Sequence, residues 1–104
     1  MAGAMLQTDA RVGQGVIVNT GAIVDHDCVL DDFCHVSPGA SLAGNVRVGD
    51  SSWIGIGATV IPGCTIGNDS IVGAGGVVVT DIPDGVVAYG NPCRIVRSTL
   101  VTSP

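Results

Sequence analysis

The chain has 104 residues, 46% of them hydrophobic, with 16 glycines but only one Phe, one Tyr and one Trp. That length bounds it to one domain, and a core without aromatics has to be laid down as thin aliphatic layers. A formal charge of -5 and a pI near 4.4 exclude nonspecific nucleic-acid binding and attachment to anionic membranes, both of which need a basic face. No apolar run approaches the ~20 residues of a membrane-spanning helix. The opening MAGAMLQTDA lacks the basic region and apolar core of a secretory signal, so the expected setting is the cytoplasm, with reduced thiols.

From Leu6 onward an aliphatic residue returns at every sixth position: Leu6, Val12, Val18, Val24, Leu30, Val36, Leu42, Val48, Ile54, Val60, Ile66, Val72 and Val78. Given how common Leu, Ile and Val are here, chance yields such a run about once in ten million trials. Three positions after each of them stands Gly, Asp, Asn or Ser, types that tolerate a positive φ, with Phe33 the one exception. A period of six fits neither an α-helix nor a meander of hairpins. It fits an all-β parallel β-helix, in which each hexapeptide supplies one short strand and one corner, and three hexapeptides close an 18-residue triangular coil. About four such coils are expected over residues 1–83. Residues 84–104 leave the rhythm and are expected to form a loop and a short segment capping the open end.

Stacked coils place residues 18 apart above one another. Val18, Val36, Ile54 and Val72 then form one inward ladder, Ala22, Ala40, Ala58 and Gly76 a second, and Ala10, Cys28, Val46, Cys64 and Ile82 a third. Cys28 and Cys64 fall two coils apart, about 9.6 Å, too far for a disulfide. Cys28, Cys34 and Cys64 read as small buried filler, and Cys93 in the tail stays unassigned. No repeated close Cys pair marks a zinc site, so no metal is expected. Ile17, His35, Trp53 and Ile71 form an outward column, apolar except for the histidine, which on a monomer would be an exposed patch and so suits a subunit contact.

Both histidines lie in VDHDCVLDDFCHVSPGA, residues 24–40. On this register His26 and Asp27 occupy a corner, and His35 lies outward on the face opposite that corner. Two rings of one chain should not meet, and a site using both would be assembled by neighbouring subunits. By itself Asp27 is one polar corner residue among many, and a lone corner histidine is ordinarily solvated. One coil above His26, however, stands Gly44, which leaves open space and an accessible N–H.

VNTGAIVDHDC (18–28), FCHVSPGASLAGNV (33–46) and WIGIGATVIPGCTIG (53–67) resemble the hexapeptide-repeat acyltransferases, in particular the bacterial sugar acetyltransferases of sialic-acid and bacillosamine biosynthesis. The resemblance implies a left-handed β-helix, a homotrimer with active sites between subunits, acetyl-CoA as co-substrate and a small-molecule sugar acceptor. It implies that His26 is the general base, that Asp27 orients it and that the Gly44 N–H faces the thioester oxygen. Asn19 and His35 match residues lining the acceptor and acetyl site. Gly55, Ile56, Gly73 and Ala74 match positions whose backbone amides meet the pantetheine arm, and Arg94, in a tail GVVAYGNPCRIV that also resembles the family, is the candidate for a CoA phosphate. The chemistry suits these types: imidazole titrates near neutrality, and a preorganised amide stabilises an oxyanion.

The resembling enzymes carry an N-terminal α/β domain that holds the acceptor nucleotide, and no counterpart of it precedes the first coil here. A non-catalytic trimeric scaffold is therefore the alternative to an acetyltransferase. A γ-class carbonic anhydrase shares the fold but needs three histidines around zinc, and this chain has two. An ice-binding solenoid would align threonines, and Thr59 and Thr65 do not align.

Overall fold

A computed structural model describes residues 5–99. Thirteen two-residue strands, β1 to β13, follow the aliphatic rhythm: Met5–Leu6, Arg11–Val12, Ile17–Val18, Ile23–Val24, Val29–Leu30, His35–Val36, Ser41–Leu42, Arg47–Val48, Trp53–Ile54, Thr59–Val60, Thr65–Ile66, Ile71–Val72 and Val77–Val78. They build three parallel sheets. The first holds β1, β4, β7, β10 and β13, the second β2, β5, β8 and β11, and the third β3, β6, β9 and β12. Partners are 18 residues apart, as in His35 against Trp53 and Val36 against Ile54. The molecule is thus an all-β solenoid of about five turns rather than four, 42 × 27 × 21 Å, with which a left-handed winding is consistent.

From β3 onward the second residue of each of these strands is buried and the first faces outward. Val18, Val36, Ile54 and Val72 are all within 1% of full burial, as are Ala22, Ala40 and Ala58 in the small-residue ladder. Corners are set by φ. Every third residue after the aliphatic position, from Asp9 to Gly75, has φ between 54° and 80°. Phe33 obeys the same geometry with φ 60°, so the corner imposes itself on an aromatic that gains nothing from it locally.

One edge, between the second and third sheets, is held by a ladder of polar side chains. Asp32 Oδ1 accepts the Gln14 N–H at 3.0 Å, Asp50 Oδ1 accepts that of Asp32 at 3.0 Å, Asn68 Oδ1 that of Asp50 at 2.8 Å, and Asp84 Oδ1 that of Asn68 at 2.7 Å. Each rung satisfies a corner N–H that the strands leave unpaired. Three of the chain's nine acidic residues, Asp32, Asp50 and Asp84, are therefore structural. Inside the same edge Ser52 and Ser70 are buried and satisfied, the Ser52 hydroxyl donating to Gly67 O and accepting the Ser70 N–H at 2.9 Å.

The regular register ends after β13. Ile82 bridges Ile66, 16 residues earlier, so it does not stack on Cys64 as the periodicity predicts. The corner there is two residues short. Where the sequence suggests a loop, Val86–Tyr89 (β14) continues the third sheet, with Val87 beside Ile71 and Ala88 beside Val72. After a turn at residues 90–93, Arg94–Ser98 (β15) folds back antiparallel on β14. Cys93 packs against the core over Gly76, where a Cβ would come within 2.7 Å of its Sγ. It finishes the small-residue ladder.

All four cysteines are free. Burial pushes the Cys34 thiol from an ordinary 9.0 up to about 12, with the Asp31 carboxylate adding to the effect, and burial likewise raises Cys28, Cys64 and Cys93. Above pH 9 the unfolded thiols lose protons that the folded ones keep, so rising pH favours unfolding. Denaturant midpoints of the reduced protein should hold steady to about pH 8 and fall between about pH 9 and 12. Cys34→Ala should make that decline shallower, and an unchanged slope would contradict the assignment.

Candidate active site

The edge between the first and second sheets carries His26 and Asp27. Asp27 takes the left-handed corner position, φ 58°, which turns its carboxylate back along the chain to the preceding imidazole. His26 Nδ1 lies 3.2 Å from Asp27 Oδ2, and the His26 backbone N–H donates to Asp25 Oδ1 at 2.7 Å. Both side chains of the pair are slightly over half exposed, 56% and 53%, so water screens their attraction. What the contact fixes is orientation: Nδ1 is engaged and Nε2 is left open.

Gly44 lies directly beside that ring. A Cβ there would come within 2.6 Å of His26 Cε1 and Nε2, so only glycine leaves the imidazole its place. The Gly44 N–H makes no hydrogen bond among the described residues, whereas its carbonyl accepts the Gly63 N–H at 3.0 Å. His26, Asp27 and Gly44 thus come together as the sequence predicts. The periodicity brings further residues to this edge. A cleft on this edge is lined by Asp9, Ala10, Arg11, Asp27 and Val29. Asp9 and Arg11 stand 18 residues before Asp27 and Val29, and the stacking rule alone places them there.

A second cluster sits on the third sheet and the corner after it. Asn19 Nδ2 and His35 Nε2 are 2.6 Å apart, and the His35 ring stacks on Trp53 with centroids 4.2 Å apart and planes at 19°. Among the described residues no hydrogen bond or ring contact joins this cluster to His26, in keeping with the corner-against-face geometry.

The residues expected to meet a pantetheine arm lie on the edge between the third and first sheets, and they divide into two kinds. Gly55 and Gly73 do not offer open amides: their N–H groups donate at 2.8 Å to Val72 O and Ala88 O. Their lack of a side chain has a packing cause. A Cβ on Gly55 would lie 2.6 Å from Val72 O, and one on Gly73 would overlap the Tyr89 ring. Ile56 and Ala74 do project from the edge, both exposed, with N–H groups unbonded among the described residues. Arg94 is exposed at the start of β15, paired with Tyr89, which itself covers Gly73. Ile56, Ala74 and Arg94 therefore share one edge, and His26 and Gly44 another.

Residues 45–80 match the family model described as bacterial transferase hexapeptide (six repeats). Those residues of the chain are thus similar to that family's repeat. Among solved structures, PerB from Caulobacter crescentus, in complex with CoA and GDP-perosamine, is 55% identical with a TM-score of 0.91, over 92% of this chain and 46% of that one. The acetyltransferase domain of PglB from Neisseria gonorrhoeae, in complex with acetyl coenzyme A, is 51% identical with a TM-score of 0.91, over 92% and 47%. The acyl-[acyl-carrier-protein]–UDP-N-acetylglucosamine O-acyltransferase of Aliivibrio fischeri is 36% identical over 83 residues, 80% of this chain and 32% of that protein. The chain spans just under half of the two structures and about a third of the curated relatives it matches.

The packing account of Gly55 has a direct check. Gly55→Ala should lower stability by about 1–3 kcal/mol, as overpacking against backbone does. Thermal denaturation without any ligand measures it, and an unaltered midpoint would leave ligand contact as the reason for glycine.

Proposed function

We propose that this chain is the core of an acetyl-CoA-dependent acetyltransferase acting on an amino or hydroxyl group of a bacterial nucleotide-linked sugar. The observation that carries the reading is the His26 ring, held at Nδ1 by Asp27, seated beside Gly44 and open at Nε2. A base needs a free lone pair and a fixed tautomer, and this arrangement supplies both. The printed ligands of the similar structures, CoA with GDP-perosamine and acetyl coenzyme A, support the substrate classes.

In this reading Nε2 of His26 takes the proton of the acceptor group as its nitrogen or oxygen attacks the thioester carbon. The new acyl bond forms, the carbonyl electrons move to oxygen beside the Gly44 N–H, and collapse breaks the C–S bond. The proton then passes from His26 to the CoA thiolate. Asp27 keeps the tautomer and stabilises the transient imidazolium. No covalent enzyme intermediate is needed. Asn19 and His35 bind the acceptor side, and Ile56, Ala74 and Arg94 the CoA side, with Gly55 and Gly73 shaping the path.

Base and CoA edges lie on different edges of one prism, so the complete site is shared between copies, in a homotrimer packed through the Ile17, His35, Trp53 and Ile71 column. Ile17, Trp53 and Ile71 are 51%, 50% and 39% exposed, which supports a partner on that face. A cytoplasmic location agrees with four free thiols, and no helix among the described residues is long and apolar enough to cross a membrane.

His26→Ala should lower kcat for acetyl transfer by roughly 100-fold or more. Calorimetry should find its acetyl-CoA affinity within about twofold of the parent, since the CoA-side residues Ile56, Ala74 and Arg94 are untouched. Turnover near normal in His26→Ala would defeat the base assignment. No acetyl-CoA binding by the assembled parent would leave a non-catalytic scaffold.

A further inference from the structure

The two histidines have opposite nitrogens engaged, and that difference sorts their chemistry. At His26 the carboxylate of Asp27 accepts from Nδ1, leaving the Nε2 lone pair open. At His35 the partner is an amide nitrogen. Asn19 Nδ2 has no lone pair to offer, so at 2.6 Å it donates and His35 Nε2 accepts. The single hydrogen of the neutral ring is then on Nδ1, and the Nε2 lone pair is occupied. Such a ring is no base; it is a hydrogen-bond donor.

Trp53 is the element that makes this choice stick. It is the register partner of His35 one coil on, and its indole lies against the imidazole at 4.2 Å with planes 19° apart. Stacking against a rigid bicyclic ring opposes the half-turn about χ2 that would put Cε1 in the place of Nε2 against Asn19. We propose that Trp53 is a positioning residue: it clamps His35 in the Nδ1–H form with Nε2 against Asn19, so that His35 donates a hydrogen bond to an oxygen of the acceptor while His26 alone serves as base. This rests on the reading of Asn19 and His35 as acceptor-side residues.

The tautomer can be read without turnover. The chain has two histidines, so long-range proton–nitrogen correlation spectra of 15N-histidine-labelled protein, assigned with His26→Gln, isolate His35. The parent should show one neutral Nδ1–H species. Trp53→Ala should show averaged ring signals and a KM for the acceptor sugar raised about five- to tenfold, with kcat within about twofold. Trp53→Phe, which keeps a stacking face, should hold the parent tautomer and stay within about threefold in KM. Asn19→Asp, which replaces a donor by an acceptor, should move the hydrogen to Nε2 and serves as a second test should Trp53→Ala fail to fold.

An unmoved tautomer in Trp53→Ala or in Asn19→Asp overturns the clamp. So does a Trp53→Phe variant as impaired as Trp53→Ala with loss of assembly in sedimentation, because Trp53 would then be only a packing surface. Averaged signals with an unchanged acceptor KM overturn the donor role and the acceptor-side reading together, while the proposed base His26, tested separately, would stand.

Discussion

Everything in this molecule depends on one geometric constraint, a left-handed backbone residue at every corner. The thirteen strands of the coils are only two residues long, too short to hold together by their own contacts. They become a structure because φ near +60° three residues after each aliphatic position turns the chain by the same amount each time, from Asp9 to Gly75. Equal corners bring like residues into register 18 apart, and only then do backbone hydrogen bonds and buried aliphatic columns accumulate coil upon coil. Non-glycine residues accept a conformation that is otherwise uncommon because the neighbouring coils hold it in place. Phe33 is the extreme instance. Its ring lies over Gly15, where a Cβ would come within 2.5 Å of the aromatic carbons.

The same constraint decides what each edge is able to do. On the edge between the second and third sheets, the corner N–H groups of Gln14, Asp32, Asp50 and Asn68 are all claimed by side-chain oxygens, which makes that edge a structural seam. Among the described residues the other two edges have no such ladder. There the equivalent corner positions include Gly44, Ile56 and Ala74, whose N–H groups stay unbonded among the described residues. An edge with its amides tied up cannot receive a ligand's oxygens, and an edge with free amides can. Hydrogen-bond accounting thus leaves open amides on two of the three edges.

Much of this was legible in the sequence because the period is strict and the register is an integer. The inward columns, the positive-φ positions and the meeting of His26, Asp27 and Gly44 all follow from counting in sixes and eighteens. What escaped depends on departures from the integer. The corner after Val78 is two residues short, which shifts Ile82 onto Ile66 and lets β14 prolong the third sheet where a loop was expected. Nothing in the composition of TDIPDG announces a deletion that keeps an isoleucine inward. Counting also does not distinguish a glycine wanted for its amide from one wanted for its missing Cβ, and Gly55 and Gly73 belong to the second kind. The Asn19–His35 contact joins residues 16 apart, off the column rule, through side-chain reach that spacing does not encode.

The separation of His26 from the edge of Ile56 and Ala74 is more than a detail of one prism. In a triangular coil any two edges are divided by a full sheet, and a rigid solenoid has no hinge with which to bring them together. A reaction that needs a base from one edge and a thioester held along another has a single geometric solution, which is to set the edge of one copy beside a different edge of the next. Closed cyclic symmetry repeats that pairing identically around an axis and leaves no edge over. The apolar outward column of the third sheet would give such an arrangement a surface to bury. Rigidity thus turns from an obstacle into a reason for assembly: a coil that cannot bend can still build a cleft, provided that the second wall belongs to another molecule.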